Sequence, residues 1–307
     1  MKRKGFTLVE LLVVIAIIAL LMGILMPALA RVKQIANRLV CGTNLSGIGK
    51  AMMIYSVDNS EQYPRAGGRA SKWGKNGLIK KWDAIEESDA FAKDATITSS
   101  FYLLVKYSDL TPKQFVCKGD VGTNPFLLSD YDSSTAVKIT DPWDFGVQPA
   151  VCVSFAYHMP YNDETGRSYA LASPSNPSSP ILSDRSPYLD LNAAGYVNDA
   201  NPELPDGPEW DTTTNSYVDK DRTGNAAAHQ RDGQNVLFND SHVGFEKYPN
   251  VGIEHDNLFL AWRSETTTSD EDRQVKGWYP DKVGSYAPKS SKDSYLVNED
   301  QRKVGKR

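Results

Sequence analysis

The sequence predicts an α+β protein. One long N-terminal α-helix, membrane-spanning in its first half, packs by its second half on an antiparallel β-sheet head with large loop insertions. Three observations carry this. Residues 6–26 form an apolar run broken by a single acid. Residues 31–57 continue with helical periodicity in polar surroundings, and beyond Val151 short runs rich in β-formers alternate between turn residues.

Lys2, Arg3 and Lys4 precede Gly5, and the apolar run opens at Phe6 and ends before Pro27. About 20 apolar residues at ~1.5 Å each cross a hydrocarbon core. The basic flank keeps the N terminus cytoplasmic and sends everything after Ala30 across the membrane. Glu10 is the exception in this run. A carboxylate within a membrane helix costs roughly 2.5–3.5 kcal/mol on insertion scales, so it is normally paired or functional. The helix dipole offsets part of that near the N terminus. A cut after Gly5 would give Phe6 a free α-amine four residues from Glu10, able to meet its own carboxylate or that of a neighbouring subunit.

The stretch Lys4-Gly-Phe-Thr-Leu-Val-Glu-Leu-Leu12 resembles the processing site of type IV pilins and type II secretion pseudopilins. The resemblance implies that a prepilin peptidase cuts after Gly5 and methylates Phe6. It also implies that Glu10 aids methylation and registers subunits in a filament. Gly23 and Pro27 match helix-weakening positions of that family. Two plainer readings compete: an ordinary anchor carrying an accidental acid, and a signal peptide cleaved at Ala28-Leu29-Ala30. The insertion cost of Glu10 weighs against the first, and a long, charged apolar region against the second.

In the second half, Val32, Ile35, Ala36 and Leu39 share one helix face. After Asn37-Arg38 and around Gly42 the stripe moves to the opposite side, to Cys41, Leu45, Ile48, Met52 and Tyr55. The first stripe is expected to face neighbouring subunits and the second the head. Gly42, Gly47 and Gly49 each weaken a helix by up to about 1 kcal/mol relative to Ala, which predicts local bending. The organisation expected is a leader at 1–5, a membrane or filament-core helix at 6–30 and its amphipathic continuation at 31–57. A periplasmic head follows at 58–287, with a polar, Lys-rich tail at 288–307 expected to be disordered.

Within the head, residues 84–107 predict a short helix with Phe101, Leu103, Leu104 and Tyr107 as its apolar positions. Residues 151–158 and 180–184 predict strands. The runs 234–238 and 242–246 flank Asn239-Asp240-Ser241 as a hairpin covering the helix, with Val236 and Phe238 on one face and Val243 and Phe245 on another. Residues 186–224, rich in Pro, Asp and Asn, predict an irregular loop.

Three cysteines, Cys41, Cys117 and Cys152, allow one bridge in an oxidising compartment, and their spacing matches no metal knuckle. The segments Arg38–Leu45 and Phe115–Asp120 resemble cysteine segments of large planctomycete-type pseudopilin-like proteins. That likeness, with Cys41 on the head-facing stripe, favours Cys41–Cys117; Cys117–Cys152 is the rival. Residues 229–243 resemble the C-terminal motif of prepilin-processing-associated proteins, a histidine followed nine residues later by Asp-Gly. Here ten residues separate His229 from Asp240, and Ser241 replaces the glycine.

A functional reading of that segment makes His229, Asp232, Asp240 and His242 metal ligands, calcium ahead of zinc; the plainer one makes the Asn and Asp side chains turn caps. No nucleophile elbow and no His-Glu-x-x-His pattern occurs, so no enzyme is predicted. Trp73, Trp82, Trp143, Trp210 and Trp278 are candidates for a glycan groove or for packing. Loss of the leader takes the formal charge from −4 to −7, and no basic stripe is present, which argues against nucleic-acid binding.

The reading is a non-enzymatic, structural subunit of a type II secretion or type IV pilus-like system. It sits in the cytoplasmic membrane as a single-pass protein with its head in the periplasm, then enters a filament. Its partners are prepilin peptidase, other pilin or pseudopilin subunits, a membrane assembly platform and the lipid bilayer. The alternative is a membrane-anchored periplasmic binding module for a glycan, protein or ion.

Overall fold

The computed structural model describes residues 7–74, 81–91, 94–131, 133, 135–162, 166, 168–189, 210–211, 216–217, 224–262 and 287–299. Helix α1 runs without interruption over Leu8–Asp58, 51 residues and about 77 Å at the usual helical rise. It passes through Gly23, Pro27, Gly42, Gly47 and Gly49. The three outer glycines lie where α1 meets the head, and Gly49 packs against strand residues 234–238. A Cβ there would stand 2.6 Å from Leu237 Cδ2.

After a two-residue strand β1 (Lys72–Trp73), helix α2 (Glu87–Phe91) and strand β2 (Asp94–Ala95), helix α3 covers Ile97–Tyr107. Thr96 and Ser99 cap α3 reciprocally: Ser99 N–H donates to Thr96 Oγ1 at 2.9 Å and Thr96 N–H to Ser99 Oγ at 3.0 Å. The strands that follow are β3 (Phe155–His158), β4 (Pro180–Asp184), β5 (Trp210–Asp211), β6 (Ser216–Tyr217), β7 (Gln234–Phe238), β8 (Val243–Glu246) and β9 (Leu296–Val297). β3 opens later than expected because Pro149 starts a 3₁₀ turn over Pro149–Val151.

The main sheet is antiparallel with order β8-β7-β4-β3-β9. It has a covered face on each side, which residue alternation along its strands decides. Phe155, Tyr157, Leu182, Leu237 and Val297 join Cys41, Leu45, Ile48, Met52 and Phe101 in a large core. Ala156, Val236, Phe238 and Leu296 turn the other way, onto Tyr188, Leu258, Phe259 and Leu260. Of the two hairpin faces read from the sequence, that of Val243 and Phe245 meets the helix, joined by Leu237, while Val236 and Phe238 face a second layer formed by apolar residues 258–260.

The tail departs from expectation as well. Leu296–Val297 is the edge strand β9, and Tyr295, Leu296 and Val297 are fully buried. The Lys-rich flank hid a short β-forming run. Residues 300–307 lie outside the described residues, as does most of the 186–224 loop. Within that loop β5 and β6 pair as a hairpin, and Tyr188 and Leu189 are core residues.

Candidate functional site

Every large apolar side chain of α1 from Leu8 to Val40 is exposed, including Leu11, Ile15, Leu21, Leu25, Val32, Ile35 and Leu39. From Cys41 onward the head buries Cys41, Leu45, Ile48, Ala51 and Met52. The two predicted stripes therefore part as expected. Such a length of apolar surface far exceeds what a monomer leaves to water, so it needs lipid or other helices around it. Among the described residues, α1 is the one helix long and apolar enough to cross a membrane.

At its start, Thr7 and Glu10 form a capping box. Glu10 Oε2 accepts from Thr7 N–H and Thr7 Oγ1, both at 2.8 Å, and Glu10 N–H donates to Thr7 Oγ1 at 3.3 Å. Glu10 thus has a local partner before any α-amine is considered, which answers part of its insertion cost. Gly5 and Phe6 lie outside the described residues. At Gly23 nothing stands within 4 Å of a Cβ position, and Pro27 lies inside the helix.

The head is tied to α1 along one line. Gln34 Nε2 donates to Gln230 Oε1 at 2.8 Å. Arg38 pairs with Asp232 and lies 4.5 Å from the centroid of the Phe245 ring. Cys41 is bonded to Cys117, with Cα atoms 5.1 Å apart, and Cys152 is buried outside that disulfide. Joining residues 76 apart in sequence contributes about 4 kcal/mol in chain-entropy terms.

The four residues expected to share a cation do not come together. Asp232 serves the Arg38 ion pair. Asp240 and His242 sit on the exposed β7–β8 turn, where Asp240 Oδ1 accepts His242 N–H at 3.1 Å and the imidazole stacks on Phe238. These hydrogen bonds, the backbone one first, hold the Asp240 carboxyl below its ordinary range. His229 points the other way, into the protein. The reason is the 3₁₀ turn Ala227–His229, which inserts its last residue beneath the hairpin while the hairpin tip stays in solvent.

What His229 meets is Asp184, the last residue of β4, at 3.2 Å, Cys117 Sγ at 3.6 Å and Asn235 Nδ2 at 3.2 Å. Asp184 and the cysteine pair were absent from the predicted set, and no local pattern marks Asp184 as more than a strand end.

A second feature is a cavity of about 350 Å³ beside the last turns of α1, lined by Tyr55, Tyr63, Arg65, Arg69, Tyr107 and Tyr157 among others. Burial pushes the Tyr55 and Tyr63 hydroxyls up to about 12 and lowers Arg65. The tryptophans do not line it. Trp73, Trp82 and Trp143 are core residues, and the Trp210 side chain and Trp278 lie outside the described residues.

With this geometry in view, residues 1–26 match a protein-family model, the prokaryotic N-terminal methylation motif. The N terminus of the chain is of prepilin type, similar to that of type IV pilins. Over 57 residues, 19% of its length, it is 46% identical to the type IV wide pilus major component PilA4 of Thermus thermophilus. The matched part covers 44% of that relative. No solved structure matches the chain. The prepilin-type segment and the exposed half of α1 coincide, while most of the head lies beyond the likeness.

Proposed function

We propose that this chain is a structural, non-enzymatic filament subunit of a type IV pilus-like or type II secretion system. It enters the cytoplasmic membrane through the first half of α1, with the N terminus inside and the head in the periplasm. Prepilin peptidase then cuts after Gly5 and methylates Phe6. An assembly platform lifts the subunit out of the bilayer, and neighbouring helices replace lipid around residues 8–40. One observation carries this: the apolar half of α1 is wholly exposed while the head clasps only the second half. Intact mass and N-terminal sequence of the protein from native membranes test it. N-methylated Phe6 at the N terminus is expected; a chain starting at Arg31 would overturn the reading.

The tyrosine- and arginine-lined cavity favours a second role, a binding module for a glycan or peptide carried on the same anchor. Arg65 Nε is buried there without a hydrogen-bond partner. Glycan-array binding by the full chain in detergent, lost on Arg65→Ala, would support it; no binding leaves the filament role alone.

A further inference from the structure

Four buried side chains converge where α1 is pinned to the head: Cys41, Cys117, Asp184 and His229, with one donor atom of each within 4.8 Å of all the others. Two sulfurs, an imidazole nitrogen and a carboxylate oxygen are a donor set suited to zinc. In a tetrahedral zinc site, bond lengths of about 2.0–2.3 Å put ligand atoms roughly 3.3–3.8 Å apart. His229 Nε2 lies 3.2 Å from Asp184 Oδ2 and 3.6 Å from Cys117 Sγ, near those edge lengths. The sulfurs are held closer than that by the covalent bond between them, and the remaining edges stay within 4.8 Å.

The surroundings fit a metal better than a disulfide alone. Gly119 N–H donates to Cys117 Sγ at 3.3 Å, a contact that stabilises a thiolate. Only glycine fits there, since a Cβ would lie 2.3 Å from Ala228 O and 2.8 Å from His229 Nδ1. Asn235 donates to Asp184 Oδ2 through its main-chain N–H at 2.7 Å and its amide at 3.1 Å, an outer shell that orients the carboxylate. Asp184 Oδ1, fully buried, has no hydrogen-bond partner. A buried carboxylate oxygen left without a partner is costly, and a cation held at this carboxylate offsets that cost.

We propose that the dithiol form of this chain binds one zinc ion through Cys41 Sγ, Cys117 Sγ, His229 Nε2 and an oxygen of Asp184, and that disulfide formation expels it. On binding, the two thiols release two protons. On oxidation, the two thiolates give one electron each to a disulfide oxidant as the S–S bond forms. The oxidant takes two protons to become two thiols, and Zn²⁺ leaves to solvent. The head is thereby held to α1 before its disulfide exists, by the same two sulfurs.

The test uses the full chain in detergent micelles. A phosphine reductant opens the disulfide, a water oxygen going to the phosphine and two protons to the sulfurs; after its removal Co²⁺ is titrated and then displaced by Zn²⁺. One Co²⁺ per reduced chain, with the visible bands of tetrahedral thiolate coordination, is expected, and none in the oxidised chain. His229→Ala and Asp184→Asn should each weaken binding at least as much as loss of an outer-shell partner does, about 10–100-fold. A reduced, folded chain without the tetrahedral spectrum overturns the proposal, as does binding that both substitutions leave unchanged. Should reduction unfold the head, as circular dichroism would show, Zn²⁺ must restore the fold; failure to do so overturns it equally.

Discussion

Gly49 of α1 lies so close to Leu237 of β7 that a Cβ on Gly49 would stand 2.6 Å from Leu237 Cδ2 and 3.1 Å from Cδ1. Two residues earlier, Gly47 would place a Cβ in ordinary contact, 3.6 Å from Gln114 Nε2. The two positions should respond oppositely to alanine. Gly47→Ala gains helix propensity and stabilises by about 0.5–1 kcal/mol. Gly49→Ala makes the same gain but forces Leu237 aside, and overpacking of about 1–3 kcal/mol leaves it destabilised by roughly 1 kcal/mol. Thermal unfolding of the full chain in detergent reads both signs.

Ser241 closes the β7–β8 hairpin at φ 72°, a left-handed conformation that L side chains resist. Its hydroxyl reaches Met53 Sδ at 3.1 Å, a weak hydrogen bond. Ser241→Gly removes the backbone cost and loses that contact, so a net stabilisation of about 0.5–1 kcal/mol is expected. A lowered melting temperature would show that the hydroxyl contact outweighs the backbone.

Asp144 and Asp293 are fully buried, and desolvation raises both to about 7. Asp293 Oδ2 accepts main-chain N–H groups of Trp262 at 3.0 Å and Lys289 at 2.7 Å. A carboxyl whose folded pKa is raised keeps a proton that the unfolded chain gives up. Its contribution is full below pH ~4 and is lost as pH rises toward 7. His158 is depressed to about 4 by burial, so its contribution is present above pH ~6.5 and lost as pH falls toward 4. Asp293→Asn should therefore flatten the fall in stability as pH rises from about 4 to 7, both by removing this carboxyl and by relieving its buried neighbour Asp256, which the Asp293 charge helps to raise. Parallel wild-type and variant stability curves over that range would refute the assignment.

Glu10 combines a capping role seen in its bonds to Thr7 with the proposed contact to a processed α-amine. Glutamine keeps the capping acceptor and loses the charge. Glu10→Ala should leave membrane insertion intact, remove the reciprocal cap with Thr7 and impair filament incorporation. If the charge matters, Glu10→Gln fails in the filament like alanine; recovery with glutamine would assign Glu10 to the cap alone.

The long helix, its membrane-length apolar half and the exchange of stripes near Gly42 are legible in the residues alone. These are written in local period and charge, which neighbouring residues settle among themselves. The prepilin-type segment was legible for the same reason, a carboxylate at one place in an apolar run. Strand β4 and the 234–246 hairpin were readable from β-formers between turn residues.

Which residues meet across long separations depends on how the elements pack. Local pattern marks a face but does not choose its partner. Asp184 met His229 and the cysteine pair because β4 pairs with β7 beneath α1, while Asp232 was drawn instead to Arg38. The same holds for residues 296–297, which looked like tail and became a sheet edge because β3 offered an unpaired side to an apolar pair.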